Sequence, residues 1–128
     1  MLTKQTIYVA EDNVDLREYA EVVLTKAGYD VKAFEDGKLT LEALLNTTAP
    51  ALLLTDINMP NMTGTELIKQ VRQTERFKDM HIVVYSTEEE VKDYEEDKVL
   101  NTISLHKPAK ADTLLALIGK LIASHKNY

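Results

Sequence analysis

A chain of 128 residues with a formal charge of −6 has the size of one domain and is long enough to bury a core without a covalent staple. It contains no cysteine, which excludes a disulfide framework and a thiolate metal site. The acidic balance argues against nonspecific nucleic-acid binding, since a phosphate backbone would be repelled, and no apolar run approaches the length of a membrane span.

The N-terminus, Met1-Leu2-Thr3-Lys4-Gln5, carries no signal-peptide pattern, so residues 1–128 are expected to form one cytoplasmic domain with no output domain. Thr6–Glu11 reads as the first strand, with Ile7-Tyr8-Val9-Ala10 continuously apolar. A helical pattern near 14–27 places Leu16, Tyr19, Ala20, Val23, Leu24 and Ala27 on one face, and Gly28 ends it. Asp30–Phe34 alternates apolar with polar and leads to a helix near 37–46. Ala51–Asp56 is apolar almost throughout and precedes a helix near 63–75. His81–Ser86 is the fourth strand, followed by an acidic helix near 88–98 that offers only Val91 and Tyr94 as anchors. So thin an apolar stripe predicts the most mobile of the helices. Thr102–His106 alternates again, and a last helix near 110–124 carries Leu114, Leu117, Ile118, Leu121 and Ile122 on one face.

Five strands alternating with five helices predict an α/β fold with a parallel sheet covered on both faces. Strands one, three and four are continuously apolar, as strands buried on both faces must be. Strands two and five alternate, as edge strands do. The order 2-1-3-4-5 follows, which is the flavodoxin-like (βα)5 three-layer arrangement.

In such sheets ligands bind outside the carboxyl ends of the strands. Those ends carry Glu11-Asp12, Asp56, Ser86-Thr87 and Lys107-Pro108. Each has an ordinary alternative: Glu11-Asp12-Asn13 suits a helix cap, Asp56 a turn, Ser86 a second cap and Lys107 a surface charge. Their joint appearance is what points to chemistry. Two carboxylates about 4 Å apart repel by roughly 4 kcal/mol at an effective dielectric near 20. A hard divalent cation relieves this, and magnesium is the natural choice. Such an ion also suits phosphoryl transfer to a neighbouring carboxylate, with Lys107 and Ser86 placed for the phosphoryl oxygens.

These residues resemble the receiver domains of response regulators over the whole chain. Val9-Ala10-Glu11-Asp12-Asn13 looks like the family's acidic pair, and Pro50–Asp56 like its acceptor strand. Met59-Pro60 with Gly64 matches the loop after the acceptor, Ser86 the hydroxyl position and Lys107-Pro108 the Lys-Pro. The resemblance implies that Asp56 is phosphorylated, that Asp12 binds Mg2+ directly, Glu11 mainly through water, and that the Asn58 backbone carbonyl completes the protein ligands. It implies a sensor histidine kinase or histidine phosphotransfer protein as donor, and a cis peptide before Pro108. The implied function is a stand-alone receiver in a phosphorelay that promotes only its own phosphorylation and dephosphorylation. The loop after the fourth strand and the fourth helix would switch, controlling a downstream partner through the face of the fourth helix, fifth strand and fifth helix, as a monomer or a phosphorylation-dependent dimer.

Three positions depart from the family pattern. Ser104 stands where many receivers carry the switching Tyr or Phe, leaving Tyr85 or Tyr94 as substitutes. Thr87 replaces a small residue beside the crevice, so slow phosphoryl turnover is expected. Leu100-Asn101 replaces a Gly-Ala pair, which is expected to alter a loop and little else. Asn58 and Glu88 border the path of an attacking water and are expected to modulate turnover. The acidic residues Glu89, Glu90, Asp93 and Glu95 of the fourth helix are expected to favour a basic partner.

The alternative is a receiver-like scaffold that binds partners without phosphorylation. A flavodoxin-like cofactor protein is disfavoured, because Glu11-Asp12 would repel a cofactor phosphate where a Gly-rich loop should cradle it. A phosphate-ester hydrolase is disfavoured because Asn58 offers no general acid, and His81, His106 and His125 lack metal-ligand spacing.

Overall fold

The structure is a computed structural model and describes residues 4–94 and 100–125. Its elements alternate as β1 (Thr6–Ala10), α1 (Val14–Lys26), β2 (Asp30–Phe34), α2 (Gly37–Leu45), β3 (Leu52–Thr55) and α3 (Gly64–Arg72). A 3-10 turn at Glu75–Phe77 leads to β4 (His81–Ser86), α4 (Glu88–Tyr94), β5 (Ile103–His106) and α5 (Ala111–His125). The five strands are parallel in the order β2-β1-β3-β4-β5. Register pairs Ile7 with Leu52, Leu53 with Ile82 and Val84 with Ser104.

The apolar runs have the predicted cause. On one face Ile7, Val9, Leu52, Leu54, Val83 and Tyr85 pack under α1 and α5. On the other Tyr8, Ala10, Leu53, Ile82 and Val84 pack under α2, α3 and α4. Each fully buried Leu or Ile there contributes roughly 1.5–3 kcal/mol. The outer strands β2 and β5 are only partly covered, so their sequences alternate.

Local chemistry ends each helix. Asn13 caps α1 by accepting from the Leu16 amide at 3.0 Å, and Gly28 follows at φ +102°, where a Cβ would be strained. Asp36 caps α2, accepting from the Leu39 amide at 2.8 Å. Thr63 and Glu66 close a reciprocal capping box on α3.

The structure corrects two expectations. The buried stripe of α1 is narrower than its periodicity indicates: Ala20 and Leu24 are buried, but Leu16, Tyr19 and Ala27 are exposed. This helix flanks the outer half of the sheet, so only the residues turned squarely onto β1 and β2 are covered. Leu100-Asn101 also does more than alter a loop. Leu100 is buried in the core, while Asn101 adopts φ 52°, as a glycine there could. Both carbonyls accept from the Arg72 guanidinium, at 2.9 and 3.0 Å.

Val91 and Tyr94 are buried beneath α4, as its thin stripe requires. The predicted continuation of that helix to 98, with Glu95, and the side chains of Asp93 and His125 lie outside the described residues.

Candidate functional site

The carboxyl ends of β1, β3, β4 and β5 meet in one crevice. Asp56 follows β3 directly, and its amide donates to the Ala10 carbonyl at 3.0 Å, extending the ladder so that the side chain emerges between the neighbouring strand ends. Ser86, the last residue of β4, is fully buried and donates to Asp56 Oδ1 at 2.5 Å. The Ile57 amide donates to the same Oδ1 at 2.7 Å and to Ser86 Oγ at 2.9 Å. Ser86 is therefore turned toward Asp56 and does not cap α4. Lys107 follows β5, its amide held by the Ser86 carbonyl at 2.8 Å, and the Lys107–Pro108 bond is cis, as the resemblance implied.

The acidic pair lies opposite. Glu11 is buried and Asp12 exposed, and with Asp56 they offer oxygens lying within 4.8 Å of one another. Arg17, unremarked in the sequence, reaches back from α1. Its Nη1 donates to the Glu11 carbonyl at 2.9 Å and more weakly to that of Asp12 at 3.4 Å. It fixes the backbone of the pair and leaves both carboxylates available.

The electrostatics are those of a site built for a cation. Burial, with repulsion from Asp56, pushes the Glu11 carboxyl up to about 7 against the lowering effects of Lys107 and the Asn13 amide. Lys107 Nζ lies 2.5 Å from Glu11 Oε1 and 3.2 Å from Asp56 Oδ2. Burial works against its ammonium, but the hydrogen bond to Glu11 and the charges of Asp56 and Glu11 prevail and hold its pKa above the usual lysine value. The donor set is all oxygen, two carboxylates buried and one open to water, which fits a hard divalent ion such as magnesium. Among the described residues no histidine joins that cluster.

One tyrosine flanks the site, and another lies near the amino end of β5. The Tyr85 ring lies 5.4 Å from Lys107 Nζ, and its hydroxyl accepts from the Ala109 amide at 3.2 Å. It steadies the lysine and the turn after it from the α1–α5 side. Tyr94 is buried on the other face and shares a 2.7 Å hydrogen bond with the hydroxyl of Thr102. Thr102 stands two residues before the half-buried Ser104, so Tyr94 meets β5 at its amino end, away from Lys107.

At the mouth, Thr87 is exposed and caps α4. Its amide and hydroxyl both donate to Glu90 Oε1 at 3.0 Å, and the Glu90 amide returns a 3.4 Å bond to the hydroxyl. Asn58, exposed in the loop after β3, donates through its side-chain amide to Glu90 Oε2. Glu88 is exposed, and the partner of Asn58 is Glu90. The sequence reading took Glu90 only as part of an acidic surface for a partner, although Thr87-Glu88-Glu89-Glu90 is a readable capping box. On its other side the same loop is tied to α2, with Asn61 donating to Asp36 Oδ2 at 2.8 Å.

A family model described as the response regulator receiver domain matches residues 7–119. The chemotaxis protein CheY1 of Helicobacter pylori is 36% identical over 83 residues, which are 64% of this chain and 67% of that protein. The chain thus spans about two thirds of the length of such chemotaxis relatives. Among solved structures, chemotaxis response regulator CheY4 of Vibrio cholerae superposes with a TM-score of 0.85 at 28% identity, covering 93% of this chain and 99% of that one. The receiver domain of a Pseudomonas aeruginosa sensor histidine kinase, solved with a magnesium ion in its active site cleft, shares the fold with a TM-score of 0.84 at 22% identity, covering 94% and 99%.

Proposed function

The chain belongs to the response regulator receiver domain family of two-component signalling, and on that premise we propose that it is a switch thrown by phosphorylation of Asp56. One observation carries this reading: a single carboxylate, that of Asp56, receives both the Ser86 hydroxyl and the Lys107 ammonium, with Glu11 and Asp12 beside it.

An Asp56 oxygen attacks the phosphorus of a phosphohistidine, the phosphorus–nitrogen bond breaks, and the imidazole leaves with a proton from solvent. A magnesium ion held by Asp12, Asp56, the Asn58 backbone carbonyl and, through water, Glu11 would neutralise the phosphoryl oxygens. The magnesium in the cleft of the Pseudomonas aeruginosa receiver supports that assignment. Lys107 is placed for one phosphoryl oxygen and Ser86 for another, each as a charge-assisted hydrogen bond.

A cavity of about 10 Å³ lies under α1, lined by Val9, Leu16, Ala20, Leu54 and Tyr85 and reaching Glu11 and Asp56 from the core side. Cavities of about 270 and 280 Å³ lie at the opposite, amino ends of the strands. The family points to a sensor histidine kinase or a histidine phosphotransfer protein as the donor. Output runs from Ser86 into α4 and to a partner on the α4-β5-α5 face.

Treatment with acetyl phosphate and magnesium tests the reading. The protein should gain the mass of one phosphoryl group, and Asp56→Asn should gain none. The small Ser104 favours a second reading, a scaffold whose binding ignores phosphorylation. Equal capture of partners by the beryllofluoride-treated and untreated protein would support it.

A further inference from the structure

The crevice is bridged at its mouth by a contact that the transfer reaction does not use. Glu90 sits half-buried in the first turn of α4, and its two carboxylate oxygens have different duties. Oε1 is held by the amide and hydroxyl of Thr87, which fixes the side chain, and Oε2 is thereby presented to the Asn58 amide. Asn58 lies two residues after the acceptor, so the link joins the loop following Asp56 to the helix following Ser86. A phosphoryl group on Asp56 would have Ser86, Lys107 and the cation on three sides. An attacking water must enter opposite the Asp56 oxygen, from the solvent side, where Asn58 and Thr87, two residues after Asp56 and one after Ser86, are both exposed.

We propose that the Asn58–Glu90 clasp sets the lifetime of the phosphoryl group, with Glu90 acting as a positioning residue for Asn58. The proposal rests on phosphorylation of Asp56 as read above. In dephosphorylation a water oxygen bonds to phosphorus as the bond from phosphorus to the Asp56 oxygen breaks. The carboxylate is restored, and inorganic phosphate leaves with the proton released to solvent. The clasp holds Asn58 across the entry of that water and ties the loop to α4. When it opens, the side chain swings free and hydrolysis accelerates. The role of Thr87 is then chemical: its hydroxyl orients Glu90, and its bulk is incidental.

The full chain is phosphorylated with acetyl phosphate and magnesium, the donor is removed, and loss of the phosphoryl group is followed by mass. Glu90→Ala, Asn58→Ala and the isosteric Thr87→Val are each expected to shorten the half-life by about threefold to tenfold, as loss of one ordinary hydrogen bond would. Thr87→Ser, which keeps the hydroxyl, retains the parent half-life. The Asn58→Ala/Glu90→Ala double variant decays no faster than the faster single variant. All four substitutions lie on or near the surface, and retained beryllofluoride binding shows that the site is intact. Unchanged decay in Glu90→Ala, or effects that multiply in the double variant, overturns the clasp. A parent that never gains the phosphoryl group overturns the reading of Asp56 itself, and the clasp with it.

Discussion

Lys107 lies closer to Glu11 than to Asp56: its ammonium is 2.5 Å from Glu11 Oε1 and 3.2 Å from Asp56 Oδ2. One lysine thus serves as counter-ion to two carboxylates, and the competition leaves Glu11 with its pKa raised to about 7, chiefly by burial.

That value fixes the sign of a pH dependence. The folded-state pKa of Glu11 lies above its unfolded value of 4.5, so between about 4.5 and 7 the folded protein holds a proton that the unfolded chain has lost. This group therefore lowers stability as pH rises through that window, with its full cost present above about 7. Melting temperatures of the metal-free protein and of Glu11→Gln, compared across the window, should diverge toward high pH, with the variant the more stable. Magnesium favours the carboxylate, so its binding near neutrality should release a proton. Calorimetry in buffers of differing ionisation enthalpy measures that release, and none is expected from Glu11→Gln.

Gly64 fits because it has no side chain. A Cβ there would stand 1.9 Å from the Asp56 carbonyl oxygen and 2.9 Å from Ile57 Cα, both backbone atoms that flank the acceptor. Gly64→Ala should lower stability by about 1–3 kcal/mol in denaturant unfolding, the usual cost of overpacking. It should also weaken magnesium binding, because relief of the clash displaces the acceptor peptide. Unchanged affinity would mean that the strain is absorbed in α3.

Arg72 is the fastener of the half of the molecule that carries α4. Its guanidinium donates to the carbonyls of Phe77, Lys78, Leu100 and Asn101 at 2.9–3.1 Å. It joins the end of α3 to both the turn before β4 and the entry to β5. Arg72→Leu keeps the apolar stem and removes every donor, so a loss of about 2–3 kcal/mol is expected. Hydrogen exchange should place the largest increase at the start of β5.

These cases show which parts of the molecule were legible in its sequence. Strand order was, because burial on two faces leaves Leu52-Leu53-Leu54 wholly apolar while Asp30–Phe34 alternates. The meeting of Glu11, Asp12, Asp56, Ser86 and Lys107 was legible too, since each closes a strand and the fold brings strand ends together. Contacts between residues far apart in the chain were not. Nothing near Asn58 announces Glu90, and nothing near Leu100 announces Arg72. The exposure of Leu16 and Tyr19 escaped for a related reason, because periodicity identifies a helix's apolar face but not how much of it the neighbours cover.

If phosphorylation of Asp56 draws Ser86 to a phosphoryl oxygen, as proposed, the loop into α4 should follow, since Thr87 and Glu90 are bonded to each other. In this chain Ser104 offers no ring to move into vacated space. Tyr94 instead projects from α4 and is tied to β5 through the Thr102 hydroxyl, so α4 and β5 should move as one body. Amide chemical-shift changes on adding beryllofluoride and magnesium should therefore extend from α4 into β5. Tyr94→Phe keeps the ring in the core and removes only the link, worth about 1 kcal/mol. In that variant the shifts should stop at α4, whose amides should exchange faster in the resting protein. Shifts that still reach β5 undiminished would mean that the signal crosses through the backbone pairing of β4 with β5, where Ser86 already holds the Lys107 amide.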